Sequence, residues 1–331
     1  MANRRMAGAA VLCTAVAMLV ACGSDGSKGP GAAEPATAPP TSTAPSGTFR
    51  RIGDEPEGLV YDRTTDLVAV AVHNPDRLQL LDPATLTVRR SVSLPGSVRH
   101  LQLAKAGGPV LVPVESASKL LEVSLPAGSV KETTVVGKQP HDATAGSNGD
   151  VVVGNEFGKS ISILRDGKVL KTISDLKQPG GVIGDGSTVA VVDVGAFALS
   201  TYSLTTLTRT ARVPAGAGPT HGNLLNGNRV IVADTRGNAM LVYDVAPLKR
   251  IGRLALEGNP YGMAVDDSTD TVWVTLTALN QVVGLDVSGD TPRVIARYDT
   301  VRQPNTVAVD PGSHRVWVTG TDAGVVQLIT R

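Results

Sequence analysis

From residue 56 onward the chain repeats itself about every forty residues, and this periodicity limits the fold more than any other feature. An anchor of the type Pro-x-Gly-x-x-x-Asp opens each repeat. Pro56-Glu-Gly-Leu-Val-Tyr-Asp62, Pro260-Tyr-Gly-Met-Ala-Val-Asp266 and Pro304-Asn-Thr-Val-Ala-Val-Asp310 are its clearest copies. Weaker copies begin at Val98, Pro140, Pro179 and Pro219, so the steps between anchors are 42, 42, 39, 40, 41 and 44 residues. A short β-branched run follows each anchor: Leu67–Val72, Val110–Val114, Val151–Val153, Val189–Val192, Val230–Ala233, Thr271–Val274 and Arg315–Val318. No sustained 3.6-residue apolar period accompanies them. With 36 Gly and 21 Pro, many turns and few helices are expected.

Seven units of this length fit four-stranded blades around a central axis. After Pro304 the last repeat holds only three strands, ending at Val325–Ile329. The segment Thr48-Phe-Arg-Arg-Ile52 precedes the first anchor and matches the fourth-strand slot filled by Val88-Arg-Arg-Ser-Val92 in the first repeat. An N-terminal strand that completes the last blade removes the open edges of the ring. The expected fold is an all-β, seven-bladed β-propeller over residues 47–331, ahead of an eight-bladed ring or an open solenoid.

The first 46 residues have a different composition. Arg4-Arg5 followed by an apolar run from Met6 to Val20 has the form of a signal peptide over residues 1–21, too short for a confident membrane span. Its end, Leu19-Val20-Ala21-Cys22-Gly23, resembles the bacterial lipobox, which implies a lipid on Cys22, anchoring at the cell membrane and an extracytoplasmic location. Plain secretion with an incidental Cys is the alternative. Residues 22–46 are rich in Pro, Ala, Ser, Thr and Gly and nearly free of large apolar side chains, as expected of a flexible linker. Thr37–Pro45 could carry O-glycans, although a bare spacer is the simpler expectation. Cys13 would leave with the leader, so neither of the 2 Cys residues is left to form a disulfide. Formal charge is +1 and only 3% of residues are aromatic, which argues against nucleic acid as a partner.

Pro-x-Gly-x-Ala-Val-Asp followed by Val-Trp-Val-Thr, together with Val-Ala-Asp-Thr-Arg-Gly-Asn238, resembles the bacterial YVTN/YncE-like propellers, in the broader group of lactonase-type and NHL propellers. The resemblance covers nearly all of residues 48–331. It implies the fold and leaves function open, because propellers host unrelated activities.

In such a ring the anchors and the ends of the Val-rich runs should converge on one mouth. His100, Asp142 and His221 share one offset from their anchors, and His141 lies one residue earlier, on the other side of its strand. Glu115 and Asp234 lie at ends of second strands, as do His73, Asn155, Glu156 and Asp193. His with carboxylate is a ligand set for zinc or a similar divalent cation. The candidate site is built on His100, Asp142 and His221, completed by His141 and Glu115 or Asp234. A solvated polar mouth is the competing expectation, and Asp234 with Asn238 also fits a turn clamp. His73 and His314 lie in loop contexts and are expected in solvent, and Trp273 and Trp317 are expected between blades.

The pattern is similar to propeller-type zinc chaperones, which implies an envelope metal transporter as partner, although their His-rich loop is absent. No Gly-x-Ser-x-Gly elbow, His-Glu-x-x-His helix or phosphate-cradling loop occurs in a suitable context, so no catalytic residue is assigned. The leading expectation is a lipid-anchored binding or scaffold protein with a divalent-metal site. A metal-dependent lactonase or lyase, which would draw on Glu115, Glu156, His141 and His221, is the alternative, and a protein-interaction platform is the third.

Overall fold

The computed structural model describes Met1 and residues 31–330. The chain divides into Met1–Gly31 and a larger unit beginning at Ala32. The expected leader and Cys22 lie outside the described residues. Among the described residues no helix is long and apolar enough to cross a membrane.

The larger unit is a seven-bladed β-propeller of four-stranded antiparallel sheets. Blade 1 comprises Asp54–Asp62, Leu67–His73, Arg77–Leu81 and Val88–Ser93, in that order from the axis outward. The next five blades repeat this meander, because each strand is joined to the next by a tight turn with a left-handed residue such as Asp66, Asn238 or Asp270. Blade 7 takes Val307–Val309, Val316–Gly320 and Val325–Ile329 from the C-terminus and Thr48–Arg51 from the N-terminus. Thr48 pairs with Leu328 and Arg51 with Val325. The expected strand exchange is therefore present, and each Val-rich run is the second strand of its blade.

Burial follows strand position. Second strands such as Val110–Val114 are buried along their whole length, since both faces pack against neighbouring blades. Outer strands face solvent and are basic: the seven together carry 14 Lys and Arg against Glu132 and Asp299 as their only acids. Positive charge along an unpaired edge discourages edge-to-edge association.

The junction of blades 7 and 1 is sealed by Trp317. Its ring is fully buried among Ile52, Leu59, Val68, Val70 and Val326, stacks on Tyr61 at 4.7 Å and donates Nε1–H to the Pro83 carbonyl at 2.9 Å. Trp273 fills the equivalent place between blades 6 and 7, against Val307, Val316 and Val318. Buried Gln327 pins the exchanged strand from the side. Its Oε1 accepts Val301 N–H at 2.8 Å, and its Nε2 donates to the Ser46 carbonyl at 2.6 Å.

Residues 32–46 form no strand, yet they do not lie free as a linker ending at residue 46 would. Ala33 and Ala38 are buried, and polar side chains of the ring bond the backbone between them. This strap crosses the face on which the inner strands begin.

Truncating Trp317 to Ala is expected to cost about 3–5 kcal/mol. Phe in its place keeps the stack but strands the Pro83 carbonyl and should cost about 1–3 kcal/mol. Thermal unfolding of the two variants beside the parent chain checks the order.

Candidate functional site

Two residues at the start of each inner strand lie in successive layers at the mouth. The upper layer holds Glu57, Arg99, His141, Gly180, Thr220, Tyr261 and Asn305, each following its anchor residue directly. The next residue forms the lower layer, which gives His100, Asp142 and His221 as the shared offset requires. In blades 1, 4 and 6 the lower position is Gly58, Gly181 or Gly262. A Cβ on Gly181 would come within 3.4 Å of the His221 Cα, so side-chain-free blades let the imidazoles of blades 2 and 5 meet across the axis.

They do meet. The His100 ring lies 4.3 Å from that of His221 and 4.6 Å from that of His141. Donor atoms of His100, His141 and His221 all fall within 4.8 Å of one another, and so do those of Glu115, His141 and Glu156. The His141 Nδ1–H points at Glu115 Oε1 at 2.7 Å, with Glu156 Oε2 at 3.4 Å. Gln178 Nε2 donates to the other Glu156 oxygen at 2.8 Å. His221 Nδ1 faces the Tyr261 carbonyl at 3.3 Å. His100 Nε2 is buried and has no hydrogen-bond partner.

The surroundings set the charges. Burial, then the neighbouring imidazoles and Arg99, hold His100 well below the ordinary imidazole pKa. Burial and the charge on His141 bring His221 down to about 3. Burial acts on His141 in the same sense, but its hydrogen bond to Glu115 and the Glu156 charge outweigh it and raise the pKa. Two neutral imidazoles thus sit beside one that is held by carboxylates. Arg99 lies at the rim, with Nε 3.5 Å from Glu57, Nη2 3.6 Å from Glu34 and Nη2 3.5 Å from the Tyr261 hydroxyl. Burial opposes its charge, but Tyr261 and the Glu57, Glu34 and Glu115 carboxylates keep it protonated.

Two expected ligands stand apart. Asp142 lines the channel with His100 and His221, but its carboxylate accepts Gln102 Nε2 at 2.9 and 3.1 Å, Val182 N–H at 2.9 Å and Ala143 N–H at 2.9 Å. Burial nevertheless pushes its pKa up to about 6. His141, not Asp142, lies beside the other two imidazoles, and the strand pairing slips by one residue between Pro140 and Asp142. Asp234 is likewise consumed locally, accepting the N–H groups of Ala217 at 3.0 Å, Gly218 at 2.7 Å and Gly237 at 3.2 Å. It is a turn clamp. His314 is not simply solvated either, since its Nδ1 meets the buried Asp266 carboxylate at 2.8 Å, and His73 makes a 3.2 Å contact with Asp76.

Arg99 and Glu57 escaped the sequence reading. Their signal was available, because they share with His141 the position directly after the anchor. Above the cluster, Ala33 and Glu34 of the strap leave a void of about 10 Å³, bounded also by Arg99, His141, Glu156 and His221, room for roughly one water molecule. Below it the channel opens to about 380 Å³, lined by His100, Asp142, Gln102, Thr144, Asn223 and apolar residues.

No protein-family model matches the sequence, and none of the curated proteins matches it. Solved structures do. Streptogramin B lyase shares this fold. It superposes with a TM-score of 0.72 at 16% identity, over 86% of this chain and 98% of that one. Virginiamycin B lyase from Staphylococcus aureus gives 0.71 at 15%, over 86% and 99%. Hydrazine synthase of Kuenenia stuttgartiensis gives 0.68 at 14%, over 84% and 96%. At these identities the likeness is one of fold.

Replacing Asp234 by Ala leaves three backbone donors without their acceptor and is expected to cost roughly 2 kcal/mol. Thermal melts of the variant beside the parent chain measure the loss.

Proposed function

We propose that this chain is a lipid-anchored extracytoplasmic binding protein whose propeller mouth takes a divalent first-row cation, zinc above all. The observation that carries the reading is the way the three imidazoles are prepared. Nδ1 of His141 is committed to Glu115 and Nδ1 of His221 to the Tyr261 carbonyl, which leaves Nε2 of each ring to ligate, and Nε2 of His100 is buried without a partner. A carboxylate or carbonyl behind each ligating imidazole is the usual support of a metal site. Neutral His100 and His221 offer lone pairs, and Glu115 and Glu156 supply negative charge. Ligand nitrogens around tetrahedral zinc lie about 3.3 Å apart, so from their present limit of 4.8 Å the donor atoms need to close in by up to about 1.5 Å. An envelope protein, such as a metal transporter, is the partner this reading implies.

Metal content by mass spectrometry after zinc loading should show one ion per chain, abolished in His100→Ala/His221→Ala. Glu115→Gln should weaken binding by about 10–100-fold. Absence of zinc, copper and manganese at micromolar loading would refute the cation reading.

A second reading, a metal-dependent lyase or lactonase, draws on the fold shared with streptogramin B lyase and on the buried Tyr261, Arg99 and His141–Glu115 pair beside the same imidazoles. Ring opening of lactone substrates by the zinc-loaded protein, lost in His141→Ala, would favour it. The third reading, a protein-interaction platform, is left if neither metal nor turnover is found. Membrane attachment rests on Cys22 in its lipobox-like setting. Cys22→Ala should move the protein to the soluble fraction on cell fractionation, and retention at the membrane would count against the anchor.

A further inference from the structure

The strap is bound to the mouth in an unusual way for a chain segment with this composition. Residues 32–39 read Ala-Ala-Glu-Pro-Ala-Thr-Ala-Pro, with no large side chain to bury. What the ring recognises is the backbone. The Gln303 amide works as one rung of a β-ladder, its Oε1 accepting Ala38 N–H at 2.8 Å while its Nε2 donates to the Ala36 carbonyl at 2.9 Å. Thr277 Oγ1 accepts Ala36 N–H at 3.0 Å. Arg302 Nε donates to the Ala38 carbonyl at 3.1 Å, and Asn280 Nδ2 to the Pro39 carbonyl at 2.8 Å. Gln303 and Asn280 both adopt positive φ, at 60° and 51°, a backbone conformation uncommon for side-chain-bearing residues. Further along, Gly218 makes room for Ala33, since a Cβ there would approach the Ala33 Cβ to 2.9 Å. The strap's one charged side chain, Glu34, meets Arg99 at 3.6 Å.

These contacts define a specificity. Side-chain amides that pair with alternate main-chain groups select an extended backbone. The lack of room at Ala33 and Ala38 selects small residues. The Arg99 guanidinium at the rim, facing the strap two residues before the first position held by Gln303, selects a carboxylate. Chain segments rich in proline fit such a groove at low entropic cost because they are extended beforehand. We infer that the propeller mouth is a peptide-binding groove for an extended, Pro- and Ala-rich segment bearing one carboxylate, and that the chain's own residues 32–39 fill it in cis. A segment of the same chemistry on a partner protein enters by displacing the strap, and the displacement uncovers the histidine cluster. None of the strap's hydrogen bonds reaches an imidazole, so the inference does not depend on the cation reading.

The groove can be tested in the full chain with changes confined to the strap, which precedes the first strand of the ring. In Ala33→Asp/Ala38→Asp, two buried positions receive a charge and the strap should leave. A fluorescein-labelled synthetic peptide of residues 32–41 is then titrated by anisotropy. Saturable binding to the opened chain is expected, at least tenfold tighter than to the natural chain, where the tethered strap competes at an effective concentration on the order of millimolar. Adding Gln303→Ala to the opened chain should weaken binding at least tenfold, and a peptide with Gln in place of Glu34 should bind more weakly and with less dependence on salt. The inference is overturned if the opened chain fails to bind the peptide at millimolar concentration. It is also overturned if the natural, opened and Gln303→Ala chains bind alike. A natural chain that runs as a dimer and becomes monomeric on opening would place the strap in a second copy and overturn the cis arrangement. Zinc uptake by the opened chain is scored separately, so loss of one reading leaves the other measurable.

Discussion

The pairing of Thr48–Arg51 with Val325–Ile329 is the constraint on which the remaining structure depends. Without it blade 7 keeps a bare edge, and the ring loses the contact that makes it a closed circle instead of a stack with two ends. The pairing joins residues nearly the whole chain apart, so its loop-closure cost has to be met by contacts formed at the same junction. Trp317 and Gln327 are placed to do this. One fills the space between blades 7 and 1 with apolar contact and a single directed hydrogen bond. The other ties the strand's approach to the adjoining blade through Ser46 and Val301. The same closure determines where the preceding residues can go. With Ser46 held at the edge of blade 7, the chain upstream is led across the mouth.

The mouth in turn depends on what the blades lack. A seven-fold ring offers fourteen positions in the two layers nearest the opening, and glycine takes four of them: Gly180 in the upper layer and Gly58, Gly181 and Gly262 in the lower. The space they leave brings imidazoles from blades 2, 3 and 5 together although their strands are not all neighbours. Removal from water then makes the electrostatics strong. The same burial that depresses His100 and His221 makes the Glu115 contact decisive for His141. Within a few ångströms two rings that resist protonation therefore sit beside one that favours it.

Much of this was legible in the sequence, for a physical reason. Each blade is a local meander, so its anchor, its Val-rich run and its turn residues recur in order and can be counted, and the missing strand of the last repeat announces its replacement at Thr48. The alignment of His100 with His221 was legible for the same reason. The fate of Asp142 and His141 was not. Asp142 is drawn away by Gln102 and the Val182 amide, partners on other strands that spacing alone does not reveal, and His141 takes the place beside the other imidazoles. The strap follows a course with no counterpart in the sequence pattern, because its residues carry no apolar signal. It is held through its backbone by Gln303 and Asn280, more than 200 positions away.

The basic outer strands have a consequence for how ions meet this molecule. Total charge is close to zero, yet it is sorted radially: the outer strands are rich in Lys and Arg, while Glu34, Glu57, Glu115, Glu156 and Asp142 gather around Arg99 and the imidazoles at the hub. Such a distribution has almost no monopole and a pronounced higher moment. Part of the outer charge is neutralised locally, Arg89 by Asp82, Arg209 by Asp175 and Arg293 by Asp286, and the outer-strand lysines, which form no ion pair among the described residues, keep the flank positive. Over the distances that salt leaves unscreened, roughly 8–10 Å, a cation therefore meets less repulsion along the axis than at the flank.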